Sequence, residues 1–456
     1  MSRSGEVDLR VIPAGFLGLI LMGTLLLKLP WVHREGHGLA WLDSLFLSTS
    51  AVCVTGLSTV NVAETFNGFG ELVLLLLIQA GGLGIFTASL VLVLVSGRRL
   101  SLADEQTIHT TVGRLRHARP LDVFIYGCVF VGVLELAGVV AMFPLIAEAW
   151  PDQEVEESLW QALFHSVSGF CNAGISIFPD GLMHWRDHPA LLAVVEVMAV
   201  LGGIGLMTLI NLRYWAPWRR DRLRRGRVTL QTRMALTGTL FLLVGGAVAT
   251  WAFEQTHTLE GGRWWQSVSW AFFHSVSTRT VGFNVVEVGE MNGPTILVTM
   301  VLMFIGGSPG SMAGGIKTVT LVVLVMTAWA ALRRREEIQC FGRRVDRKLS
   351  GVAMMVTMLG AGCVVLGVGL LMVVEDGQPA TETAHPWIGL IFEAVSAFGT
   401  VGLSMGVTPL LSGWGKVVII ALMFVGRVGP LLMAVYLSRA PRKQHVLYPT
   451  EEVAIG

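Results

Sequence analysis

Eight apolar runs of at least membrane length alternate with four short segments of one recurring type, and that pattern sharply limits what this chain can fold into. The runs are 11–30, 70–97, 121–149, 188–212, 230–253, 294–332, 351–374 and 413–438. A bilayer core takes roughly 20 apolar residues per helix. Between the members of each successive pair lies a Ser- and Phe-rich segment that ends at a glycine. The four are FLSTSAVCVTGLS (Phe46–Ser58), FHSVSGFCNAGIS (Phe164–Ser176), FHSVSTRTVGFN (Phe273–Asn284) and FEAVSAFGTVGLS (Phe392–Ser404). Their glycines, Gly56, Gly174, Gly282 and Gly402, follow one another at intervals of 118, 108 and 120 residues, and the third copy is one residue shorter between Phe and Gly. Segments this short cannot span, so they read as re-entrant half-helices, each followed by a loop.

Non-helical backbone at membrane depth is tolerated only where it is buried in protein or lines a cavity. Four such loops meet that requirement together by converging on one axis. The expected fold is therefore an all-α polytopic membrane protein of four pseudo-symmetric repeats around a central pore. Each repeat is helix, pore half-helix, filter loop, helix. The divisions are an N-terminus 1–10, repeat 1 at 11–97, a linker 98–120, repeat 2 at 121–213 and a linker 214–229. Repeat 3 follows at 230–332, then a linker 333–350, repeat 4 at 351–439 and a tail 440–456. Mean hydropathy of +0.64 and a charged fraction of 14% exclude an ordinary water-soluble protein. Residues 11–30 follow Arg3 and Arg10 as a signal peptide would, but the run ends LLLKLPW without a small-residue cleavage site, so it reads as a retained helix.

The charges are segregated although they nearly cancel. Arg98, Arg99, Arg114, Arg116 and Arg119 follow the first repeat, and Arg219 to Arg227 follow the second. Arg333, Arg334, Arg335, Arg343, Arg344, Arg347 and Lys348 follow the third, and Arg439, Arg442 and Lys443 lie in the tail. Two spans per repeat place all of these on one side, which the positive-inside rule makes cytoplasmic. The other side holds Asp152, Glu154, Glu156, Glu157, Asp180, Glu287, Glu290, Glu375 and Asp376. These acids either solvate outer loops or mildly concentrate cations at a mouth. Five cysteines without framework spacing, mostly in apolar runs, give no expectation of disulfides or zinc.

A half-helix entering from outside points its partially negative C-terminal end at the membrane interior, which favours a cation there. The loop that follows supplies backbone carbonyls to replace an ion's water shell. The candidate ion-binding residues are Val54, Thr55 and Gly56; Asn172, Ala173 and Gly174; Thr280, Val281 and Gly282; and Thr400, Val401 and Gly402. Thr280-Val281-Gly282 also begins the run whose carbonyls hold K⁺ in potassium channels. The competing reading of the four glycines is close packing of membrane helices.

A continuous helix over 294–332 would be about 57 Å long, nearly twice the hydrocarbon thickness. It is expected to break at Gly306-Gly307-Ser308-Pro309-Gly310-Ser311-Met312-Ala313-Gly314-Gly315, leaving a mobile loop beneath the third filter loop: a gate, or else a passive kink. Lys317 follows it. The segment also matches a hydrolase nucleophile elbow (Gly306-x-Ser308-x-Gly310) and nearly a phosphate-binding loop, but both need a preceding strand that is missing here. Arg427 lies 12 residues before Arg439, about 18 Å along a helix, too deep to snorkel. It is expected to face the pore as a barrier or hold the gate, or else to pair with Glu135 or Glu196. Gly426 and Gly429 match Gly81, Gly82 and Gly84 and Gly202, Gly203 and Gly205 in earlier repeats, a pattern that lets second helices pack closely. His165 and His274 fall at equivalent half-helix positions where the other copies have Leu47 and Glu393; packing or hydrogen bonding accounts for them better than a metal.

These motifs together (SAVCVTGLS, FCNAGIS, TRTVGFN, GTVGLS, GGSPGSMAGGIKT and the Arg427 region) resemble the Trk/Ktr/HKT superfamily of potassium transporters over nearly the whole chain, and most closely its bacterial KtrB-type membrane subunits. The chain begins with the first repeat, where Trk-type relatives are expected to carry an extra pair of helices. The resemblance implies K⁺ uptake through a four-loop filter across the cytoplasmic membrane, with 306–315 as the gating loop and Arg427 in the barrier. Na⁺-selective HKT relatives often carry serine at the first filter glycine; Gly56 stands there, which points to K⁺ over Na⁺. The resemblance also implies a homodimer and a cytoplasmic KtrA-type ring that binds a regulatory nucleotide. No soluble stretch is long enough for a dinucleotide fold, so nucleotide control has to arrive from a partner. The surfaces open to it are 214–228, 333–348 and 440–456. No enzymatic role, covalent cofactor or nucleic-acid partner is expected; the transported K⁺ is the one ion. The alternative is a symporter coupling K⁺ to Na⁺ or H⁺, with Glu135, Glu196 and Glu393 as candidate sites for the second ion.

Overall fold

The computed structural model describes residues 11–36, 38–95, 120–215, 228–381 and 385–438. The segments 1–10 and 440–456 and most of the linkers 98–120 and 214–229 lie outside them, and with them most of the basic clusters.

The four glycine-ended segments form half-helices: α2 (Trp41–Cys53), α5 (Val155–Cys171), α9 (Trp264–Ser277) and α13 (Pro386–Gly399). They contain 13, 17, 14 and 14 residues, about 20–26 Å at 1.5 Å per residue, against a hydrocarbon core of roughly 30 Å. Ahead of them stand α1 (Val11–Leu27), α4 (Pro120–Ala149), α8 (Leu230–Glu254) and α12 (Arg347–Val374). Behind them stand α3 (Gly68–Val95), the pair α6 (Pro189–Ile204) and α7 (Leu206–Trp215), the pair α10 (Gly293–Phe304) and α11 (Thr318–Leu332), and α14 (Gly413–Ser438). In element order the described residues thus run four times through helix, half-helix, loop and then a helix or a broken pair of helices.

Small residues and serines set how closely each half-helix approaches the helix before it. Ser48, Ser166 and Ser275 each donate a hydrogen bond to a carbonyl of that helix: Ile20 O at 2.7 Å, Glu135 O at 2.6 Å and Leu243 O at 2.7 Å. A glycine on the helix makes room, since a Cβ at Gly23, Gly138 or Gly246 would run into the serine hydroxyl. The fourth copy has Ala394 at this position and so lacks that bond. On the other side, a Cβ at Gly81, Gly202 or Gly426 would run into the carbonyl of Val52, Phe170 or Phe398 near the end of each half-helix. The close packing expected of the glycine-rich second helices takes this form.

Two buried carboxylates finish the frame. Glu254, at the end of α8, accepts from Asn292 N at 2.9 Å and from the Thr295 hydroxyl, and Glu375, after α12, accepts from Ser412 N at 3.0 Å and Ser412 Oγ at 2.7 Å. Each ties the end of one helix to the first turn of α10 or α14, where free N–H groups and the helix dipole favour an anion.

Two second helices are broken, and the sequence reading foresaw one. The run 294–332 splits at 305–317, as its glycines and proline require. The run 188–212, expected as a single helix, bends by 98° between α6 and α7. Gly205 makes the turn with φ +91°, a conformation glycine adopts without a side-chain clash. The 333–350 linker holds a further element, a hairpin of β1 (Ile338–Cys340) and β2 (Arg343–Val345). Phe341 and Gly342 turn it with φ of 51° and 71°, the signature of a tight two-residue hairpin turn.

Candidate functional site

Six non-glycine residues among those described have positive φ, and four of them occupy one position in the four loops: Val54 (55°), Asn172 (59°), Thr280 (75°) and Thr400 (50°). Two residues later each loop has a positive-φ glycine: Gly56 (97°), Gly174 (64°), Gly282 (82°) and Gly402 (94°). The residue between them has ordinary φ in every copy. Left-handed backbone at a residue with a Cβ costs roughly 1–2 kcal/mol. Repeating it four times, twice at β-branched threonine, shows that the conformation is imposed by the surroundings and not by local preference.

What imposes it is a shared set of hydrogen bonds. The N–H of the middle residue reaches the carbonyl of one serine in each half-helix: Thr55 to Ser50 at 2.8 Å, Ala173 to Ser168 at 2.8 Å, Val281 to Ser277 at 3.1 Å and Val401 to Ser396 at 2.9 Å. The same serines hold the far side of the loop with their hydroxyls. Ser50 and Ser396 accept from the N–H of Gly56 (3.0 Å) and Gly402 (3.2 Å), Ser168 donates to Ile175 O (2.7 Å), and Ser277 donates to Phe283 O. The one-residue deletion in the third copy is absorbed before the loop. There α9 ends at Thr278 in right-handed geometry, and the left-handed residue comes two positions later.

The four loops meet in cyclic order. A Cβ added at Gly56 would stand 2.6 Å from Ala173 O, and one at Gly174 would stand 2.5 Å from Val281 O. One at Gly282 would strike Val401 O, and one at Gly402 would strike Thr55 O. Each glycine thus faces the carbonyl of the next loop in sequence, and the fourth returns to the first. The four glycines also approach one another directly, with Gly402 Cα 3.2 Å from the Cβ position of both Gly56 and Gly282. Of the twelve residues expected at the ion-binding loops, the four glycines and the four residues just before them make this ring of contacts, and Val54, Asn172, Thr280 and Thr400 are the left-handed residues that lead into it. Backbone carbonyls converging in this way are suited to replacing the hydration shell of a small cation.

The 305–317 loop lies directly against the ring. Its ends are zipped together, with Gly306 N donating to Ile316 O (2.8 Å) and Thr318 N to Gly307 O (3.0 Å). Its tip docks into the bend between α6 and α7: Ser308 N donates to Gly203 O at 2.9 Å, Met312 N to Gly202 O at 3.2 Å, and Leu206 N to Gly310 O at 3.2 Å. The second, unforeseen break thus provides the seat for the first. A Cβ at Gly314 would collide with the Thr400 hydroxyl, and one at Gly315 would lie 3.3 Å from Gly399 O, so the loop touches the fourth glycine loop. Pro309 also packs at the bend, its carbonyl 2.9 Å from the Cβ position of Gly205. Ser308 and Ser311 are buried.

Arg427, 2% exposed, is placed differently from one of its expected settings. Among the described residues it forms no ion pair with Glu135 or Glu196. It donates instead to Met312 O on the loop and, at 3.4 Å, to Gly81 O on α3. Glu135 is bonded to Gln79 at 3.1 Å. Lys317 donates to Ala313 O at 2.6 Å and Gly314 O at 3.4 Å. Two cationic side chains therefore hold three consecutive carbonyls of the tip. The half-helix histidines are absorbed by local bonds. His165 reaches Ser176 at 2.9 Å and stacks on Phe178, His274 reaches Thr299 at 2.9 Å, and Glu393 accepts from Ser404 and from Thr408 at 2.8 Å.

A residue absent from the sequence reading also meets the loop. Arg279, 6% exposed, donates to Gly306 O at 2.9 Å and to Thr318 Oγ1 at 2.7 Å. An arginine inside an otherwise apolar and hydroxylic half-helix ending was the available signal, and the TRTVGFN motif hid it.

A family profile described as TrkH, cation transport protein, matches residues 14–446. The chain is 33% identical over 452 residues to the potassium/sodium uptake protein NtpJ of Enterococcus hirae, covering 98% of this chain and 97% of that one. It is 32% identical to the Ktr system potassium uptake protein B of Bacillus subtilis, covering 98% and 96%. Among solved structures, the potassium transporter TrkH from Vibrio parahaemolyticus superposes with a TM-score of 0.70 at 16% identity, covering 93% of this chain and 84% of that one. The fold, the apolar helices and these matches make the chain a multi-pass membrane protein that belongs to the TrkH family of cation transport proteins.

Proposed function

We propose that the chain takes up potassium across the cytoplasmic membrane through the ring of four glycine loops, which acts as its selectivity filter. The observation that carries this is the cyclic hand-off, in which each filter glycine faces the next loop's carbonyl and the fourth closes on the first. Residues 54–56, 172–174, 280–282 and 400–402 then form the ion-coordinating layer. The relatives support the choice of ion: the Bacillus subtilis subunit is a potassium uptake protein, and NtpJ is a potassium/sodium uptake protein.

In this reading the 306–315 loop is the gate, held shut by Arg427 and Lys317 and by contact with Thr400. The chain works as a homodimer and is opened by a cytoplasmic nucleotide-binding ring of the KtrA type, docked on the basic inner surfaces. The outward face of the 338–345 hairpin, with Gln339, Phe341 and Arg344, and its neighbouring arginines are part of that surface.

A second reading, symport with Na⁺, has one observation in its favour: Glu196 sits midway along α6 with a buried carboxylate oxygen that has no partner among the described residues. The test is ion flux into liposomes containing only this chain. Downhill K⁺ uptake in Na⁺-free medium, exceeding Na⁺ uptake, supports the passive filter. Uptake that requires Na⁺ and is lost in Glu196→Gln supports symport. Equal K⁺ and Na⁺ flux refutes the filter assignment.

A further inference from the structure

Arg279 lies three residues before Gly282, where the other loops carry Cys53, Cys171 and Gly399. Its guanidinium is buried against carbonyl and hydroxyl oxygens, away from any carboxylate among the described residues. From this geometry we infer that Arg279 is a positioning residue that locks the neck of the 305–317 loop to the third filter loop, so that opening displaces only the tip, residues 308–314. The inference rests on the gated-filter reading above and says which part of the gate moves.

The neck is a closed network. One amino nitrogen of Arg279 donates both to Gly306 O and to Thr318 Oγ1, and the Thr318 hydroxyl donates in turn to the same Gly306 O at 2.9 Å. Two main-chain bonds, Gly306 N to Ile316 O and Thr318 N to Gly307 O, cross the same point. Releasing the neck would break all of these at once inside a low-dielectric interior, where an abandoned charged donor is costly. The guanidinium also borders a cavity of about 20 Å³ with Thr239, Gly203 and Gly307, the size of a single water. Its surroundings are therefore α6, α8 and the neck.

The tip is bound in another way. Its contacts run to the main chain at the α6–α7 bend, to the flexible side chains of Arg427 and Lys317 and, at Gly314, to the side chain of Thr400. Such contacts separate one after another without disturbing either α10 or α11. Because Arg279 belongs to a filter loop, the same lock fixes the backbone of Thr280-Val281-Gly282 from behind. Gate closure and ion selection consequently share one side chain.

The experiment uses the full chain in liposomes, measuring basal K⁺ flux and the K⁺/Na⁺ flux ratio for the wild type, Arg279→Gln, Arg279→Lys, Thr318→Val and the Arg279→Gln/Thr318→Val pair. We expect Arg279→Gln to lower the K⁺/Na⁺ ratio at least about five-fold and to raise basal flux, a coupling of ordinary size between two sites. Thr318→Val should shift both in the same direction, the pair should be no worse than Arg279→Gln alone, and Arg279→Lys should lie between that variant and the wild type. A residue serving only stability would lower the amount of folded protein without changing the ratio. Wild-type selectivity in a folded Arg279→Gln chain overturns the proposal, as do additive effects in the pair. Should Arg279→Gln not fold, the near-isosteric Thr318→Val decides alone, and an unchanged ratio and flux there also overturn it. A wild-type chain that shows no K⁺ preference would sink the filter reading instead.

Discussion

Gly314→Ala probes how tightly the 305–317 loop, the proposed gate, is seated on the fourth glycine loop. Gly314 has ordinary φ, so alanine adds no backbone strain, only volume. The new Cβ would collide with the Thr400 hydroxyl and lie 3.0 Å from both Thr400 Cβ and Thr400 Cγ2, all in a side chain of the fourth glycine loop. Thr400 is fully buried and cannot swing away. Inserting a methyl group into a packed site of this kind costs about 1–3 kcal/mol. If opening carries residue 314 off Thr400, that cost falls on the closed state alone. The open-to-closed ratio then rises by about 5–150-fold. The assay is basal K⁺ flux through the purified chain in liposomes, beside Gly362→Ala, which adds a methyl group where nothing lies within 4 Å. The reasoning fails if Gly314→Ala yields a protein of wild-type thermal stability and wild-type flux, because the tip would then not be seated on Thr400 in the closed state.

Three further outcomes follow from the proposed filter and its frame. Gly282→Ser places a Cβ at φ +82° against Val401 O, costing about 1–2 kcal/mol in backbone alone; K⁺ preference over Na⁺ should fall sharply in flux assays, and an intact preference would count against Gly282 as a filter residue. Ser396→Ala removes the acceptor of Gly402 N and leaves that donor unpaired at a cost of about 1–3 kcal/mol, so selectivity should drop together with melting temperature. Glu375→Gln weakens charge-assisted bonds to Ser412 that are worth about 1.5–3 kcal/mol each, and should lower melting temperature in detergent while leaving the K⁺/Na⁺ ratio unchanged.

The parts of this molecule that were legible in the sequence are those whose chemistry is local. Four glycines in register, each behind a Ser-rich half-helix, are visible because every loop repeats the same local requirement: positive φ two residues after a left-handed residue, with a serine to pin both sides. The break at 305–317 is legible for the same reason, since no continuous helix tolerates its glycines and proline. What the sequence hid depends on partners far along the chain. The bend at Gly205 looks like ordinary helix glycine until Pro309 and Gly310 are packed against it. Arg279 looks like one more letter of a filter motif until Gly306 and Thr318 are folded beside it. The alternative pairing of Arg427 with Glu135 or Glu196 is not found among the described residues: charge matching by letter overlooks carbonyls, which an irregular loop presents in numbers that a helix cannot.

That replacement of carboxylates by carbonyls leaves two physical roles for Arg427, and they are separable. If its positive charge repels entering cations, a residue of equal charge should keep the pathway closed, so Arg427→Lys would resemble the wild type and Arg427→Gln would leak. If it acts by bridging Met312 O on the 305–317 loop to Gly81 O on α3, both carbonyls must be reached at once. A planar guanidinium does this with separate nitrogens, whereas a lysine ammonium is a compact charge on a different stem. Hydrogen bonds from a charged donor are worth about 1.5–3 kcal/mol each, and losing one releases the tip roughly ten- to hundred-fold at 1.4 kcal/mol per decade. The structure favours the bridge, because both terminal nitrogens are engaged and Lys317 secures the next two carbonyls in the same manner. Arg427→Lys should therefore raise basal K⁺ flux nearly as much as Arg427→Gln, with the K⁺/Na⁺ ratio preserved in both because neither touches a filter loop. Wild-type flux in Arg427→Lys, with high flux in Arg427→Gln, would reverse the assignment and make the arginine an electrostatic barrier.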